Sequence, residues 1–214
     1  DSWYSYENKH ADNDWFVEIC KDYVDLARNV DPLYLQTYSQ GYVFGGDWYK
    51  IYGGRQDYVT YYLKGREITI ELSTVKLPDA SQLSGFWAKN HASLIDFIEN
   101  AGSGFFGTVS NSVTSEPIAA KIEIPGYDHH ESHVYSNALT GKFFRLLSGG
   151  NYNVRITAPG FRPEFIPAQV IKNQRNVADI RLIPVHTEIL VKTQPGNKEL
   201  LIELKDDDSE IFTA

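Results

Sequence analysis

The stretch YKIYGGRQDYVTYYLKGREITIELSTVKLP, residues 49–78, decides the fold prediction for the first half of the chain. It contains a Gly-Gly turn, a run of charged and aromatic residues, and a short alternating segment. Within residues 66–72 every second side chain is apolar, namely Ile68, Ile70 and Leu72, and the residues between them are polar. This period of two predicts a half-buried β-strand that carries one carboxylate, Glu71, at its end.

Two helical patterns flank this stretch. The first predicts an amphipathic helix over residues 15–29, capped by Asp12 or Asn13 and ended by Pro32, with a stripe of Phe16, Ile19, Cys20, Tyr23 and Leu26. The second, after Pro78, predicts a helix over about residues 86–100, capped by Ser81 or Ser84. Its expected inner face consists of Trp87, His91, Leu94, Ile95 and Ile98.

From Phe105 onward the pattern changes to short runs separated by turn residues. The runs are GFFGTV, PIAAKIEI, HVYSNAL, KFFRLL, NYNVRITA, FIPAQVIK and ADIRLI. Many short strands at this spacing predict a small antiparallel β-sandwich. Beyond Val185, HTEILVK and KELLIELK are expected to pair as a hairpin across Gln-Pro-Gly-Asn, and the DDDSE run is expected to be a solvated tail.

The composition narrows the classes of partner. The chain has 214 residues and a net charge of −8, which argues against nucleic acid and anionic membrane as partners. No stretch approaches the roughly 20 apolar residues of a membrane span. The single cysteine, Cys20, excludes an internal disulfide and is expected to be a buried apolar residue rather than a nucleophile. The chain has no initiator Met and no signal peptide, which predicts a processed, truncated or partly represented chain.

The motifs of the central stretch resemble a known enzyme family. GGRQDY, followed by ITIELS and KLP and preceded by WY, resembles the zinc metallocarboxypeptidases, or funnelins, and is most similar to the branch of carboxypeptidases D, E, M and N. Farther along, GTV, EPI, TGKFFRLL, GNYNV and PGF resemble the transthyretin-like (carboxypeptidase regulatory-like) domain of the same enzymes. The resemblance implies an α/β fold over residues 1–103, the C-terminal half of a mixed-sheet catalytic domain. An antiparallel β-sandwich over residues 104–184 and a tail over residues 185–214 would follow.

The resemblance also implies roles for four residues. Glu71 corresponds to the general acid/base that takes a proton from zinc-activated water and passes it to the leaving amine. Tyr49 corresponds to the mobile tyrosine that closes over the substrate, and Gln56 and Thr69 correspond to the pocket for its last side chain. The residue pattern alone favours a solvated carboxylate for Glu71 and a packed aromatic for Tyr49.

The expected substrates are the C-termini of peptides or proteins. A neutral amide at Gln56 is typical of the branch that removes C-terminal Arg or Lys. That branch completes its pocket with an upstream acidic residue that is absent from this chain. Arg55 replaces a hydrophobic residue at the rim, which is a departure from the animal enzymes.

The zinc ligands of the family are an H-x-x-E pair and a later His in an LHGG-like segment, and this chain contains neither motif. Asp1-Ser2-Trp3 looks like the stretch shortly after the third ligand. The resemblance therefore implies zinc ligands upstream, and the missing N-terminal half of the catalytic domain as a partner. We expect this chain alone to be inactive and to expose helix faces and a sheet edge that the other half would cover. The family is secreted or lumenal, so an extracytoplasmic location is expected.

The histidines offer one other candidate metal site, the run Asp128-His129-His130-Glu131-Ser132-His133. Strand spacing would place His129, Glu131 and His133 on one face. The run is not the H-E-x-x-H motif, however, and a polar loop is the favoured interpretation. His10, His91 and His186 are isolated histidines, and His91 is expected to be a hydrogen-bonded packing residue rather than a ligand.

Two functions follow from these observations. The first is part of a zinc-dependent carboxypeptidase with Glu71 as general acid/base. The second is a non-catalytic binding or structural fragment with a transthyretin-like interaction domain. A third, a carbohydrate- or protein-binding β-sandwich, is disfavoured because nothing structural requires Tyr49, Gln56 and Glu71 together. The thirty or so residues before Asp1 would discriminate the first two, since zinc ligands there favour the enzyme.

Overall fold

The computed structural model describes residues 5, 7–185, 188–193, 200–205 and 211–212. Four stretches that carry sequence predictions lie outside the described residues: Asp1–Trp3, His186, the turn at residues 194–197 and the acidic run at residues 206–210. The chain has mixed α/β content, with helices before residue 103 and strands after it.

Helix α1, Asn13–Val30, forms where the sequence pattern predicted a helix. Its apolar stripe is buried at Phe16, Ile19 and Tyr23. The helix ends before Pro32, because the residue preceding a proline is disfavoured in helical conformation. Asp12 occupies the N-cap position, but its carboxylate makes no bond to a helix N–H. That carboxylate is instead bonded to two arginines, described below.

Short helical turns joined by loops occupy the chain between α1 and residue 82. They are α2 (Gly45–Trp48), α3 (Arg55–Asp57), a π-helical turn (Tyr58–Tyr62) and a 3-10 turn (Ala80–Gln82). The strand predicted over residues 66–72 is wrong, because this segment pairs with no strand in the described part of the chain. A strand needs a neighbouring strand to share its backbone hydrogen bonds, and the surrounding elements are helices and loops. Leu72, expected to face a core, is 40% exposed.

Helix α4, Leu83–Asn100, packs against α1 through buried polar side chains and through Phe97, which lies against an apolar cluster on α1. The Tyr23 hydroxyl donates to Asn90 Oδ1 at 2.8 Å, and the Ser93 hydroxyl donates to the Tyr23 carbonyl at 2.8 Å. Asn90 and Ser93 are both buried.

The apolar inner face predicted for this second helix is therefore wrong. Trp87, Ile95 and Ile98 are exposed by 63%, 54% and 71%. His91 is half-buried, and its Nδ1 lies 3.1 Å from the Trp87 carbonyl of its own helix. Periodicity identified an apolar stripe correctly, but three of its five members are exposed, while Leu94 and His91 are half-buried.

Seven strands follow in the order and places that the apolar runs predicted. They are β1 (Gly104–Asn111), β2 (Lys121–Glu123), β3 (Val134–Tyr135), β4 (Lys142–Leu146), β5 (Gly150–Thr157), β6 (Glu164–Val170) and β7 (Arg175–Leu182). One sheet has the order β4-β1-β7 and the other has the order β3-β2-β5-β6. Buried side chains from both sheets form one hydrophobic cluster, which includes Val109, Ile122, Val154 and Ile180.

One strand pair departs from the antiparallel arrangement that was predicted. β1 runs parallel to β7 in a register from Gly104 opposite Arg175 to Asn111 opposite Leu182. Its other neighbour, β4, is antiparallel. β1 and β7 are the first and last strands of this region, and the intervening chain passes through the other sheet. They can therefore run in the same direction, which a short hairpin would forbid.

The C-terminal strands form a separate three-stranded sheet of β8 (Glu188–Thr193), β9 (Leu200–Lys205) and β10 (Ile211–Phe212). β8 and β9 are antiparallel from Glu188 opposite Lys205 to Thr193 opposite Leu200. This is the pairing expected of the C-terminal hairpin. In the described ranges, no helix has both the length and the apolar character that crossing a membrane requires.

Candidate active site

A cavity of about 400 Å³ lies between α1 and the chain from Leu35 to Glu71. Phe16 and Val24 of α1 form part of one wall, and Ile68 and Ile70 form part of another. The four residues predicted for the site all line this cavity, and they are Tyr49, Gln56, Thr69 and Glu71. The fold thus brings together residues that the sequence assigned to one site.

The close approach of the loop to α1 depends on Gly41. This glycine has φ of +83°, and a Cβ at its position would lie 2.6 Å from the Val24 side chain. Any other residue would be strained in that conformation and would also collide with the helix. Gly41 therefore allows the loop to close one side of the cavity.

Gln56 and Thr69 are in direct contact. Gln56 lies in α3, after a turn at Gly53 and Gly54 in which Gly53 has φ of +74°. Its Nε2 donates a hydrogen bond to Thr69 Oγ1. Arg55 points away, with its side chain 82% exposed, and its Nε lies 3.0 Å from Glu67 Oε1. The Arg55 guanidinium, which replaces a hydrophobic residue at the rim, is thus paired with the Glu67 carboxylate of the cavity wall.

Glu71 lies near the end of the unpaired segment, residues 66–72. Its side chain is exposed and lines the cavity. Within the part of the chain that the structure describes, its carboxylate has no hydrogen bond or ion pair. The next residue is held firmly, because the Tyr34 hydroxyl donates to the Leu72 carbonyl at 2.7 Å.

Tyr49 follows α2 and is 52% exposed. Its ring packs edge-on against Trp48, with 4.6 Å between the ring centroids. A phenol in this place can reach both the cavity and solvent. Its closing over a substrate stays a prediction.

The charges that line the cavity are negative. Asp57, Glu67 and Glu71 contribute carboxylates, and the lining residues that the structure describes include no Lys or Arg. His10 is the remaining titratable nitrogen of the wall, and it is 4% exposed. Burial, assisted by Arg66, lowers the pKa of His10 from 6.5 to about 3, so its ring is neutral at pH 7.

Sequence reasoning missed several of these residues. His10 was expected to stand apart, yet its Nδ1 accepts a hydrogen bond from the Asp12 N–H at 3.0 Å. Asp57 and Glu67 were not recognised as site residues, because acidic residues beside aromatic ones are ordinary on protein surfaces.

Cys20 also lines the cavity, and burial raises the pKa of its thiol to about 11. The thiol is therefore protonated at neutral pH and is a poor nucleophile.

A buried group of four charges lies where the helical and strand regions meet. Asp12 accepts hydrogen bonds from Arg145 Nη1 at 2.6 Å, Arg145 Nη2 at 2.8 Å and Arg66 Nε at 2.6 Å. Arg145 Nη2 also lies 2.6 Å from Asp128 Oδ1. Burial alone would raise the pKa of the Asp12 carboxyl, but Arg145 and Arg66 outweigh it and lower the pKa to about 2. Two cations and two anions balance, which makes their burial tolerable.

The histidine run at residues 128–133 forms a polar turn rather than a strand. Asp128 accepts from the Ile124 N–H at 2.6 Å and from the Ser132 hydroxyl at 2.6 Å. His130 and Glu131 adopt φ of 48° and 62°. His133 Nε2 lies 3.0 Å from the Tyr135 hydroxyl. The alternation expected of a strand, which would have aligned three ligands, is absent from this turn.

No metal site can be built from the residues that the structure describes. Among them, no group of three or more His, Cys, Asp or Glu side chains is arranged to hold a metal ion. The acid/base candidate Glu71 thus has a cavity and pocket residues around it, but no ligand set for zinc within these ranges.

Comparison with protein families gives one match, to the family described as zinc carboxypeptidase, over residues 2–93. Carboxypeptidase D of Homo sapiens is 34% identical over 160 residues, which cover 74% of this chain and 11% of that protein. The carboxypeptidase N catalytic chain of Mus musculus is 30% identical over 160 residues, 74% of this chain and 34% of that protein. The chain thus spans between about a tenth and a third of the length of these relatives.

Among solved structures, a DUF3823 family protein from Bacteroides uniformis ATCC 8492 matches 48% of this chain and 52% of that chain. The TM-score is 0.29 and the sequence identity is 15%. A similarity at this level bears on neither fold nor function.

Proposed function

Because residues 2–93 of this chain belong to the zinc carboxypeptidase family, we propose that the chain forms part of a peptidase that removes the C-terminal residue of peptides. Glu71 is the general acid/base. The observation that carries this proposal is the convergence of Tyr49, Gln56, Thr69 and Glu71 on one cavity.

The roles of the chain's own residues follow from their placement. The Glu71 carboxylate is free of internal partners in the described structure, so it can accept a proton from water and later deliver it to a leaving amine. Thr69 and Gln56 form a bonded pair in the wall that receives the terminal side chain. Tyr49 is able to donate to the substrate's carboxylate or amide from the cavity mouth. Zinc, when present, supplies an activated water and polarises the scissile carbonyl.

A basic terminal residue fits the cavity best. Asp57, Glu67 and Glu71 line it without any cation among the lining residues. Glu67 is already paired with Arg55, so Asp57 is the carboxylate available to a substrate's guanidinium or ammonium group. The upstream acidic residue of the family branch is absent from this chain, and Asp57 can supply the charge in its place.

The strand region supports a second part of the proposal, a transthyretin-like β-sandwich. Its two sheets share one buried apolar cluster, as the facing sheets of a sandwich do.

The resemblance to the family also leads us to propose an extracytoplasmic location, which cell fractionation of the producing organism would test.

We further propose that the chain needs residues outside itself for activity. The exposed apolar stripe of α4 and the unpaired segment 66–72 both fit a surface that another part of a catalytic domain covers. The missing N-terminal half of the catalytic domain, with its H-x-x-E motif, is the partner we expect there.

The test combines the purified chain, zinc and a second polypeptide that carries an H-x-x-E pair and a later His from a family member. Release of arginine from a peptide ending in Arg is measured. We expect no release by the chain alone and measurable release by the mixture. Glu71→Gln should lower the rate of the mixture by about 10²- to 10⁴-fold. Glu99→Gln, on an exposed position of α4, is the matched control and should leave the rate unchanged.

The specificity is tested with paired substrates ending in Arg or Leu. Asp57→Asn should lower the preference for Arg by about 10- to 100-fold, which corresponds to the loss of one hydrogen bond to a charged group. Hydrolysis by the chain alone, or an unchanged rate in Glu71→Gln, would refute the assignment.

The second candidate is a non-catalytic binding or structural fragment. The observation behind it is the exposed apolar stripe of α4, with Trp87, Ile95 and Ile98 exposed, which is a surface that a binding partner could cover. A mixture that binds the second polypeptide and zinc, yet releases no amino acid from any terminal residue tested, would favour this candidate over the enzyme.

A further inference from the structure

The segment 66–72 carries Thr69 and Glu71, yet it belongs to no sheet in the described structure. A segment without ladder hydrogen bonds ordinarily has a poorly defined path, because nothing restrains its backbone dihedrals. An acid/base group must instead be held within a fraction of an ångström of its working position. Some other contacts must therefore restrain this segment.

The beginning of the segment is held by a buried side chain. The Arg66 side chain is 2% exposed and donates to Asp12 Oδ2 through Nε at 2.6 Å. Its Nη2 donates to the Ser132 carbonyl at 3.0 Å. Arg145 holds Asp12 from the strand region. The first residue of the segment is thus attached to both regions of the chain.

The end of the segment is held by a chain of buried hydrogen bonds. The Tyr34 hydroxyl donates to the Leu72 carbonyl at 2.7 Å. Asn90 Nδ2 donates to the Tyr34 oxygen at 2.9 Å, and the Tyr23 hydroxyl donates to Asn90 Oδ1 at 2.8 Å. Because Asn90 occupies a lone pair of the Tyr34 oxygen, the phenolic proton is directed at Leu72.

Tyr34 is itself fixed in place. It is 9% exposed, and its N–H donates to the Asp31 carbonyl at 2.9 Å. Its own carbonyl accepts from Arg28 Nε at 3.2 Å. A bond from so rigid a donor restrains the peptide group it reaches, which joins Leu72 to Ser73 one residue beyond Glu71.

We propose that Tyr34 is a positioning residue for Glu71, acting through its hydrogen bond to the Leu72 carbonyl. In the chain by itself, Arg66 and Tyr34 fix the two ends of the segment. The consequence for catalysis rests on the proposed function of Glu71. The restraint on the backbone does not, and it is measurable in the chain by itself.

The test compares two single substitutions, each of which removes one tyrosine hydroxyl that donates to a backbone carbonyl. Tyr34→Phe removes the bond to Leu72. Tyr152→Phe removes the bond to the Ser148 carbonyl in the strand region and lies outside the hydrogen-bond chain that ends at Leu72, so it is the matched control. Backbone ¹⁵N relaxation of the purified chain gives order parameters for Glu71 and the residues around it. We expect values near 0.85 in the wild type and in Tyr152→Phe, and below about 0.6 at residues 70–73 in Tyr34→Phe.

Values that stay near 0.85 at residues 70–73 in Tyr34→Phe would overturn the proposal, as would values already below about 0.6 in the wild type. A merely structural role would lower the unfolding temperature of both variants to a similar extent without this local change. In the mixture described above, Tyr34→Phe should lower kcat about 10- to 100-fold with KM within about twofold. A local loss of order in Tyr34→Phe, together with a normal rate in Glu71→Gln, would refute only the proposed function.

Discussion

Acidification should destabilise this chain through His10, and replacing that histidine should remove most of the effect. The ring is 4% exposed and stacks edge-on against Phe16 at 5.5 Å between centroids. The charged and titratable groups around it are Arg66, Asp12, Arg145 and His129. Burial and Arg66 lower its pKa from 6.5 to about 3, and Asp12 offsets only part of this shift.

The sign and size of the effect follow from these two pKa values. Below pH 6.5 the unfolded chain binds a proton at His10 that the folded chain does not accept until about pH 3. The full contribution of neutral His10 to stability is present above pH 6.5 and is lost progressively as the pH falls towards 3. At pH 4.5 the loss is about 2.7 kcal/mol, two pH units at about 1.36 kcal/mol each. Asp12 adds little in this range, because its pKa shift acts between 3.8 and about 2.

The assay is urea unfolding followed by tryptophan fluorescence at several pH values between 7.5 and 4.5. His10→Asn retains a side-chain acceptor for the Asp12 N–H but cannot bind a proton. We expect it to be about 1–3 kcal/mol less stable than the wild type at pH 7.5, because ring packing is lost. The wild type should then lose about 2.7 kcal/mol more than the variant on acidification to pH 4.5. His91→Asn, on α4, is the control and should follow the wild type; equal pH dependence in the wild type and His10→Asn would refute the reasoning.

Three further predictions concern single side chains. Cys20 should react with a disulfide reagent at pH 8 about 100-fold more slowly in the folded chain than in urea, because burial raises its thiol pKa from 9.0 to about 11; equal rates would contradict that burial. Ile122→Ala should lower the free energy of unfolding in urea by about 2–5 kcal/mol, because the side chain is 0% exposed. A loss below about 1 kcal/mol would contradict the packed cluster. Val113→Ala, at a site 70% exposed, is its control. Ile98→Lys should change stability by less than about 0.5 kcal/mol, because Ile98 is 71% exposed; a large loss would mean that the stripe of α4 is covered in solution.

The candidate site was predictable to the extent that its signals are local. Tyr49, Gln56, Thr69 and Glu71 lie in one short stretch of sequence with a distinctive motif, and they line one cavity. Asp57 lies in the same motif but carries no signal of its own. His10 was missed because its lowered pKa results from burial and from the nearby Arg66. The burial of a single histidine cannot be inferred from the residues next to it in sequence.

By itself, the sequence determined where the two long helices and the strands β1 to β7 form and which of their side chains are apolar. α1 and all seven strands from β1 to β7 occupy the runs whose spacing predicted them, because periodicity depends only on neighbouring residues. The similarity of residues 2–93 to the zinc carboxypeptidase family was also recognisable from the motifs alone.

Only the tertiary structure decided which faces have partners. Asp12 and Arg145 are 133 positions apart and Tyr34 and Leu72 are 38 apart, so their bonds have no local signature. The sequence pattern shows that a surface is able to pack against an apolar or a strand partner. The apolar stripe of α4 and the alternating segment 66–72 are two such surfaces. Whether a partner is present depends on chain segments distant in sequence, since packing and hydrogen bonding are satisfied in space and not along the chain.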